Sequence, residues 1–297
     1  MSDQAILTIL NVALVIFVLI FVIVLIMDIV KHKKHLERKS SIIAGIIGLI
    51  TGFFDAFKIG SFALTIALLR ATKQCDDEVM PGTLNASHTI PVAVLAFLFF
   101  RAVKVDPVTL IAMISASVTG AFIGASFMSK LSKKIIRIIM GLALLAAAVF
   151  MLLGMFNVIQ STGGSSALTG IKLIIGVVCN FFLGVLMTAG VELYVPCMAL
   201  VYFLGMSADA AFPIMMGSYA FSIQVAGIKF IKEGRYARKT SLVINILGCF
   251  GVIIAFIFFK NLSMTVVKWV IIAIILYTAV NMMMVSGKQQ RIKNSIK

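Results

Sequence analysis

The chain has 297 residues, 61% of them hydrophobic and only 12% charged, a balance that excludes an ordinary soluble globular domain. Its formal net charge of +15 comes from Lys and Arg gathered in short clusters between apolar runs, where they act as a topology signal; nucleic-acid binding is the weaker explanation. The composition points instead to an all-α polytopic membrane protein, in which about 20 apolar residues per helix cross a hydrocarbon core of about 30 Å.

The first apolar run, 5–30, carries no charge before Asp28. It is too long for a cleaved signal peptide and lacks an A-x-A-like site, so residues 1–40 read as a retained transmembrane helix followed by a basic loop. Further apolar segments follow at 41–70, 79–104, 106–129, 135–156, 169–205, 210–231, 241–259 and 265–285, and a basic tail at 286–297 closes the chain. Two of these, 41–70 and 169–205, are interrupted near their middles by Gly, Thr and charged residues. In the first, the stretch FFDAFKIGSF places Asp55 and Lys58 inside apolar sequence. Cys75, Cys179, Cys197 and Cys249 are widely separated, with no CxxC pair, and are expected to be buried and reduced.

The chain resembles itself. A shift of about 132 residues brings Gly52 onto Gly184, Ala67-Leu68 onto Ala199-Leu200, Asp77 onto Asp209 and Pro81 onto Pro213. Residues 41–156 and 169–285 therefore read as two repeats joined by an external linker, 157–168. If each broken segment is a re-entrant hairpin, the Lys and Arg outside Lys58 divide 20 to 5 between the two faces. If each crosses fully, the division is 17 to 8. Positive-inside counting favours the hairpins, which makes each repeat a hairpin plus three crossings and inverts the second against the first. The N-terminus then lies outside and the C-terminus in the cytoplasm, with the chain in the cell (inner) membrane.

GIIGLITGFFDAFKIGSFALT (45–65) and FFLGVLMTAGVELYVPCMALVYFLGMSADAAFPIMMGS (181–218) resemble the TauE/SafE sulfite exporter family, also called the TSUP family of anion transporters. KFIKEGRYARK (229–239) and the two LS-led helices at 131 and 262 add to the likeness, which spans nearly all of the chain after the first helix. The resemblance implies two related halves, each with a glycine-bearing break, and movement of sulfite, sulfonates or related carboxylate anions without a prosthetic group. The break usually resembles Gly-Ile-Gly. Here one copy is Lys58-Ile59-Gly60 and the other Gly190-Val191-Glu192, each with one glycine exchanged for a charge, and the charges are opposite.

Glycine at a break lets backbone N–H groups of a half-helix reach an anion, and the helix N-terminus adds partial positive charge. Gly60, Ser61, Thr188 and Gly190 fit that use, while close helix packing is the alternative. Ionisable groups within a membrane are functional candidates by default. Lys58 is expected to meet the substrate anion, and Glu192 to pair with Lys58 or to carry a coupling proton together with Asp55 and His88. A fixed structural ion pair is the competing account. Asn85, three residues before His88, shares its helix face, and Tyr194, Ser218, Tyr219 and Gln224 offer uncharged contacts in the second half. No HExxH, nucleophile elbow or P-loop is present, so no enzyme activity, metal or cofactor is expected and the driving force is an ion gradient or the substrate's own. The expected function is secondary transport, with export the favoured direction; a passive anion channel or a non-transporting scaffold stands as the alternative. The expected partners are a small anionic substrate and the lipid bilayer, with a homo-oligomer left open.

Overall fold

The computed structural model describes residues 3–57, 61–100, 105–158, 163–258, 269, 271–280 and 282–284. They form helices α1 (Asp3–Lys31), α2 (Ser41–Asp55), α3 (Phe62–Ala71), α4 (Met80–Phe99), α5 (Pro107–Met128) and α6 (Lys133–Met155). α7 (Gly170–Met187), α8 (Tyr194–Phe203), α9 (Ala208–Lys232), α10 (Arg238–Phe258) and α11 (Ile271–Met284) follow. Seven of these, α1, α4, α5, α6, α7, α9 and α10, are long and apolar enough to cross a membrane. At 1.5 Å per residue, α3 and α8 are each about 15 Å long and α2 about 22 Å, so none of the three spans a hydrocarbon core alone.

The two interrupted segments have become helix pairs, α2–α3 and α7–α8, and the ends of each pair return to the same place. Lys39, just before α2, donates from Nζ to the Lys73 carbonyl just after α3 at 2.8 Å. Ser165, just before α7, forms a bridge with Met206, just after α8. The first of these junctions lies at the basic end of the bundle, where Lys239 Nζ also donates to the Lys39 carbonyl and the Thr240 hydroxyl to the Gln74 carbonyl.

Helix contacts follow an exchange pattern. α2 packs mainly on α10 and α7 on α5; α4 meets α10 as α9 meets α5; α4 and α9 meet each other. Replacing α2–α5 by α7–α10 maps this set onto itself. All of these contacts join one repeat to the other, and the α2–α10 and α5–α7 contacts are made by small residues. A Cβ on Gly52 would stand 2.2 Å from the Gly248 carbonyl oxygen, and one on Gly184 would stand 2.1 Å from that of Ser117. Backbones this close gain dispersion contacts that larger side chains would prevent. α4 and α9 form the buried centre, with 72% and 83% of their apolar windows inside the protein, against 22% for α1, which presents Ile9, Val12, Leu19 and Ile23 outward. Pro91 interrupts α4 beside α10, and Asn245 of α10 attends to that turn. Its carboxamide accepts from the Ile90 N–H and donates to the Ala86 carbonyl, the pair that a regular helix closes directly.

The basic end is tied by ion pairs. Asp77, in the connection between α3 and α4, accepts from Arg70 Nη1 at 2.5 Å and from Arg137 Nε at 2.6 Å, joining α3 to α6; Arg235 meets Glu78, and Arg238 meets Asp28. Asp77→Ala should lower unfolding free energy by about 2 kcal/mol, since Arg137 is largely buried, although both arginines keep further contacts. Denaturant unfolding in detergent checks this; no change would mean that water already screens the pair. The four cysteines are free; Cys75 and Cys197 are buried as expected, whereas Cys179 and Cys249 are partly exposed. Burial pushes the Cys75 thiol up to about 12, so it stays protonated and unreactive at neutral pH. Met215 and Met216 are buried, whereas Met284 and Trp269 are exposed.

Candidate functional site

The two helix breaks meet. Ser61 occupies the N-cap position of α3, yet its side chain makes no capping bond to its own helix. The first N–H groups of α3 therefore need another acceptor, as every helix start does. Glu192, 131 positions away in the second break, supplies it: its Oε1 accepts from the Ser61 N–H at 2.7 Å, the Ser61 hydroxyl at 2.9 Å and the Phe62 N–H at 3.4 Å. The Tyr219 hydroxyl of α9 donates to the same oxygen at 3.2 Å. A carboxylate oxygen thus sits on the positive end of a half-helix and gathers four donors, the arrangement by which helix N-termini hold anions.

The other side of this contact is shaped by the way α7 ends. The Val191 N–H bonds back to Leu186 and the Gly190 N–H to Met187, with Gly190 at φ +106°, a Schellman-type termination that only glycine adopts without strain. The Gly190 N–H and the Thr188 hydroxyl, which donates to Val185, are thus committed to closing α7 and do not face the Glu192 oxygen. Asn85 of α4 donates to the Pro81 carbonyl and, more weakly, to that of Thr188.

His88 binds the first break from behind. Its Nε2 lies 3.1 Å from the Thr65 hydroxyl of α3 and 3.4 Å from the Thr51 hydroxyl of α2. Those hydroxyls donate to the Ser61 and Ile47 carbonyls, while the other ring nitrogen, Nδ1, lies 3.2 Å from the Leu84 carbonyl. Nδ1 lies 2.9 Å from the Ser87 hydroxyl. A continuous path of contacts therefore runs from His88 through Thr65 and Ser61 to Glu192. Around it the rings of His88, Phe62, Tyr219 and Tyr194 stack edge to face in succession.

Asp55, the last residue of α2, is fully buried, and neither carboxyl oxygen has a hydrogen bond among the described residues. It lies within electrostatic reach of Glu192 and of the Ser61 hydroxyl, which is engaged with Glu192. The Tyr194 hydroxyl and the Gln224 carboxamide are also buried and without a partner among the described residues. Ser218 stands apart from this group, accepting from Asn180 of α7 at 2.9 Å. Lys58 and Gly60 lie outside the described residues. Beside Glu192, the space bounded by Gly190, Val191, Tyr194, Ala63 and Met151 is about 30 Å³, room for roughly two waters.

Thr51, Thr65 and Asn180 were not singled out from the sequence. A hydroxyl or amide within a membrane helix is an ordinary packing residue until its partner is known. Among the described residues there is no group of three or more His, Cys, Asp or Glu side chains able to hold a metal ion. A family model described as Sulfite exporter TauE/SafE matches residues 2–151 and 172–297. No curated protein and no solved structure matches the chain.

Proposed function

The chain belongs to the TauE/SafE sulfite exporter family, a family of membrane transporters, and from that premise we propose that it is a secondary transporter of a small sulfur-containing or carboxylate anion, with export its direction. The observation that carries the proposal is the convergence of the Ser61 and Phe62 N–H groups, the Ser61 hydroxyl and the Tyr219 hydroxyl on one anionic oxygen where two helix breaks meet. The same donors suit an oxyanion of sulfite, a sulfonate or a carboxylate, and a site of this kind requires no cofactor.

The fold is read as two repeats, 41–156 and 169–285, of opposite orientation. Support comes from the exchange symmetry of the helix contacts and from the hairpin ends, which return to the basic end in one half and to the Ser165–Met206 bridge in the other. On this reading the basic end is cytoplasmic, the N-terminus is external and the repeats rock about the Ser61–Glu192 contact to expose the site alternately. The space beside Glu192 is small, which favours a transporter over an open channel. Asp55, His88 and Glu192 are the groups through which a proton gradient would act.

Purified protein in proteoliposomes should move sulfite or methanesulfonate down an imposed gradient, faster when a proton gradient is added. Absence of flux for sulfite, sulfonates and carboxylates under every gradient would remove this reading. Flux at channel-like rates, indifferent to protons, would replace it with the channel.

A further inference from the structure

We propose that Glu192 is a built-in surrogate for the transported anion, a carboxylate that fills the anion seat at the start of α3 and must leave it before substrate can bind. The inference rests on the transport reading and adds a competitor to it. Three observations carry it. First, Ser61 does not cap its own helix, so the seat is open to an outside oxygen, and Glu192 Oε1 takes every donor directed there. Two anions cannot share those donors. Second, among the described residues the groups gathered about the carboxylate do not neutralise it. Asp55 at the end of α2 has the same sign, Tyr194 of α8 and Tyr219 of α9 are phenols, and no described cation bonds to it. A carboxylate there gains its stability from the helix start and the hydroxyls, which are the features an incoming oxyanion would use.

Third, the displaced side chain has somewhere to go. Glu192 itself lines the space of about 30 Å³ beside Gly190, Val191 and Ala63, and Gly190 contributes no side chain to it. A rotation of Glu192 into that space would release Ser61 and Phe62 without moving either hairpin. Tyr194, whose hydroxyl is buried and without a partner among the described residues, also borders this space. The seat and its parking place are thus adjacent, and occupancy of the seat by substrate or by Glu192 becomes a choice between two states.

The test uses the full-length protein in detergent, with acetate, methanesulfonate and sulfite as probes and chloride-matched ionic strength. Glu192→Gln removes the competing charge, so its affinity for methanesulfonate should exceed that of the unmodified protein by about tenfold or more. Glu192→Ala empties the seat, and its thermal midpoint should rise with acetate in a saturable way that the unmodified protein does not show. Should Glu192→Ala fail to fold, Glu192→Gln, which keeps the size of the side chain and every donor of the seat, carries the acetate measurement as well, and its midpoint should also rise saturably. Equal or weaker binding by Glu192→Gln, with flux in the unmodified protein intact, overturns the surrogate and leaves the transport reading standing. If no variant binds any probe and the unmodified protein moves none of them, both readings fall together.

Discussion

Gly52→Leu should yield no folded, monodisperse protein in size-exclusion chromatography. The expectation comes from geometry, because a single added Cβ would lie 2.2 Å from the Gly248 carbonyl oxygen and 2.9 Å from two further backbone atoms of that residue. The obstacle is backbone, which cannot rotate aside as a flexible side chain can. α2 and α10 would have to separate along the most extensive helix contact among the described residues, giving up close packing on both sides. Gly52→Ala should survive with a loss of about 2 to 3 kcal/mol, the cost of overpacking by one methyl group. Gly154→Ala is the control: nothing lies within 4 Å of the added atom, and a small gain from helix propensity is expected. If Gly52→Leu is purified folded and active, the close approach is not a determinant of the fold.

His88→Ala should reduce anion flux by about a hundredfold while the protein still folds, because His88 holds α2 and α3 in register from behind through Thr51 and Thr65. Its loss leaves a cavity and removes the imidazole contact of two buried hydroxyls, a stability cost of about 2 kcal/mol. His88→Gln, which returns a hydrogen-bonding group to the position, should recover much of the flux. Thr65→Val should resemble His88→Ala in flux, since it breaks the same path one step nearer Ser61. A His88→Ala protein with unimpaired flux would place the imidazole outside the transport path.

The interrupted segments were legible because their Gly, Thr and charged residues stand out against apolar sequence, and α2–α3 and α7–α8 fall where that signal placed them. The small residues that bring α2 onto α10 were legible as a type, but their partners were not, since Gly52 and Gly248 are nearly 200 positions apart. Glu192 shows the limit more sharply. An acid and a lysine in matching breaks invite an ion pair in any reading that counts side-chain charge. Of the four donors that Glu192 meets among the described residues, two are backbone N–H groups, and every residue but proline has one, so no pattern of residue types marks them. Only the uncapped start of α3 makes those two N–H groups special, and that is a property of conformation. The chain of hydroxyls from Thr51 to Thr65 was hidden for a related reason: a threonine in an apolar helix most often satisfies itself on its own backbone, as both of these also do.

The exchanged helix contacts have a consequence for biosynthesis. α2 and α5 leave the ribosome long before α10 and α7, the helices on which their glycine faces close. Until those partners arrive, the first half can be inserted in the bilayer but cannot acquire its final contacts, so its exposed helix faces must wait in lipid. A chain cut within the 157–168 linker would then be rescued only when both fragments are made in the same cell, each serving as the other's template.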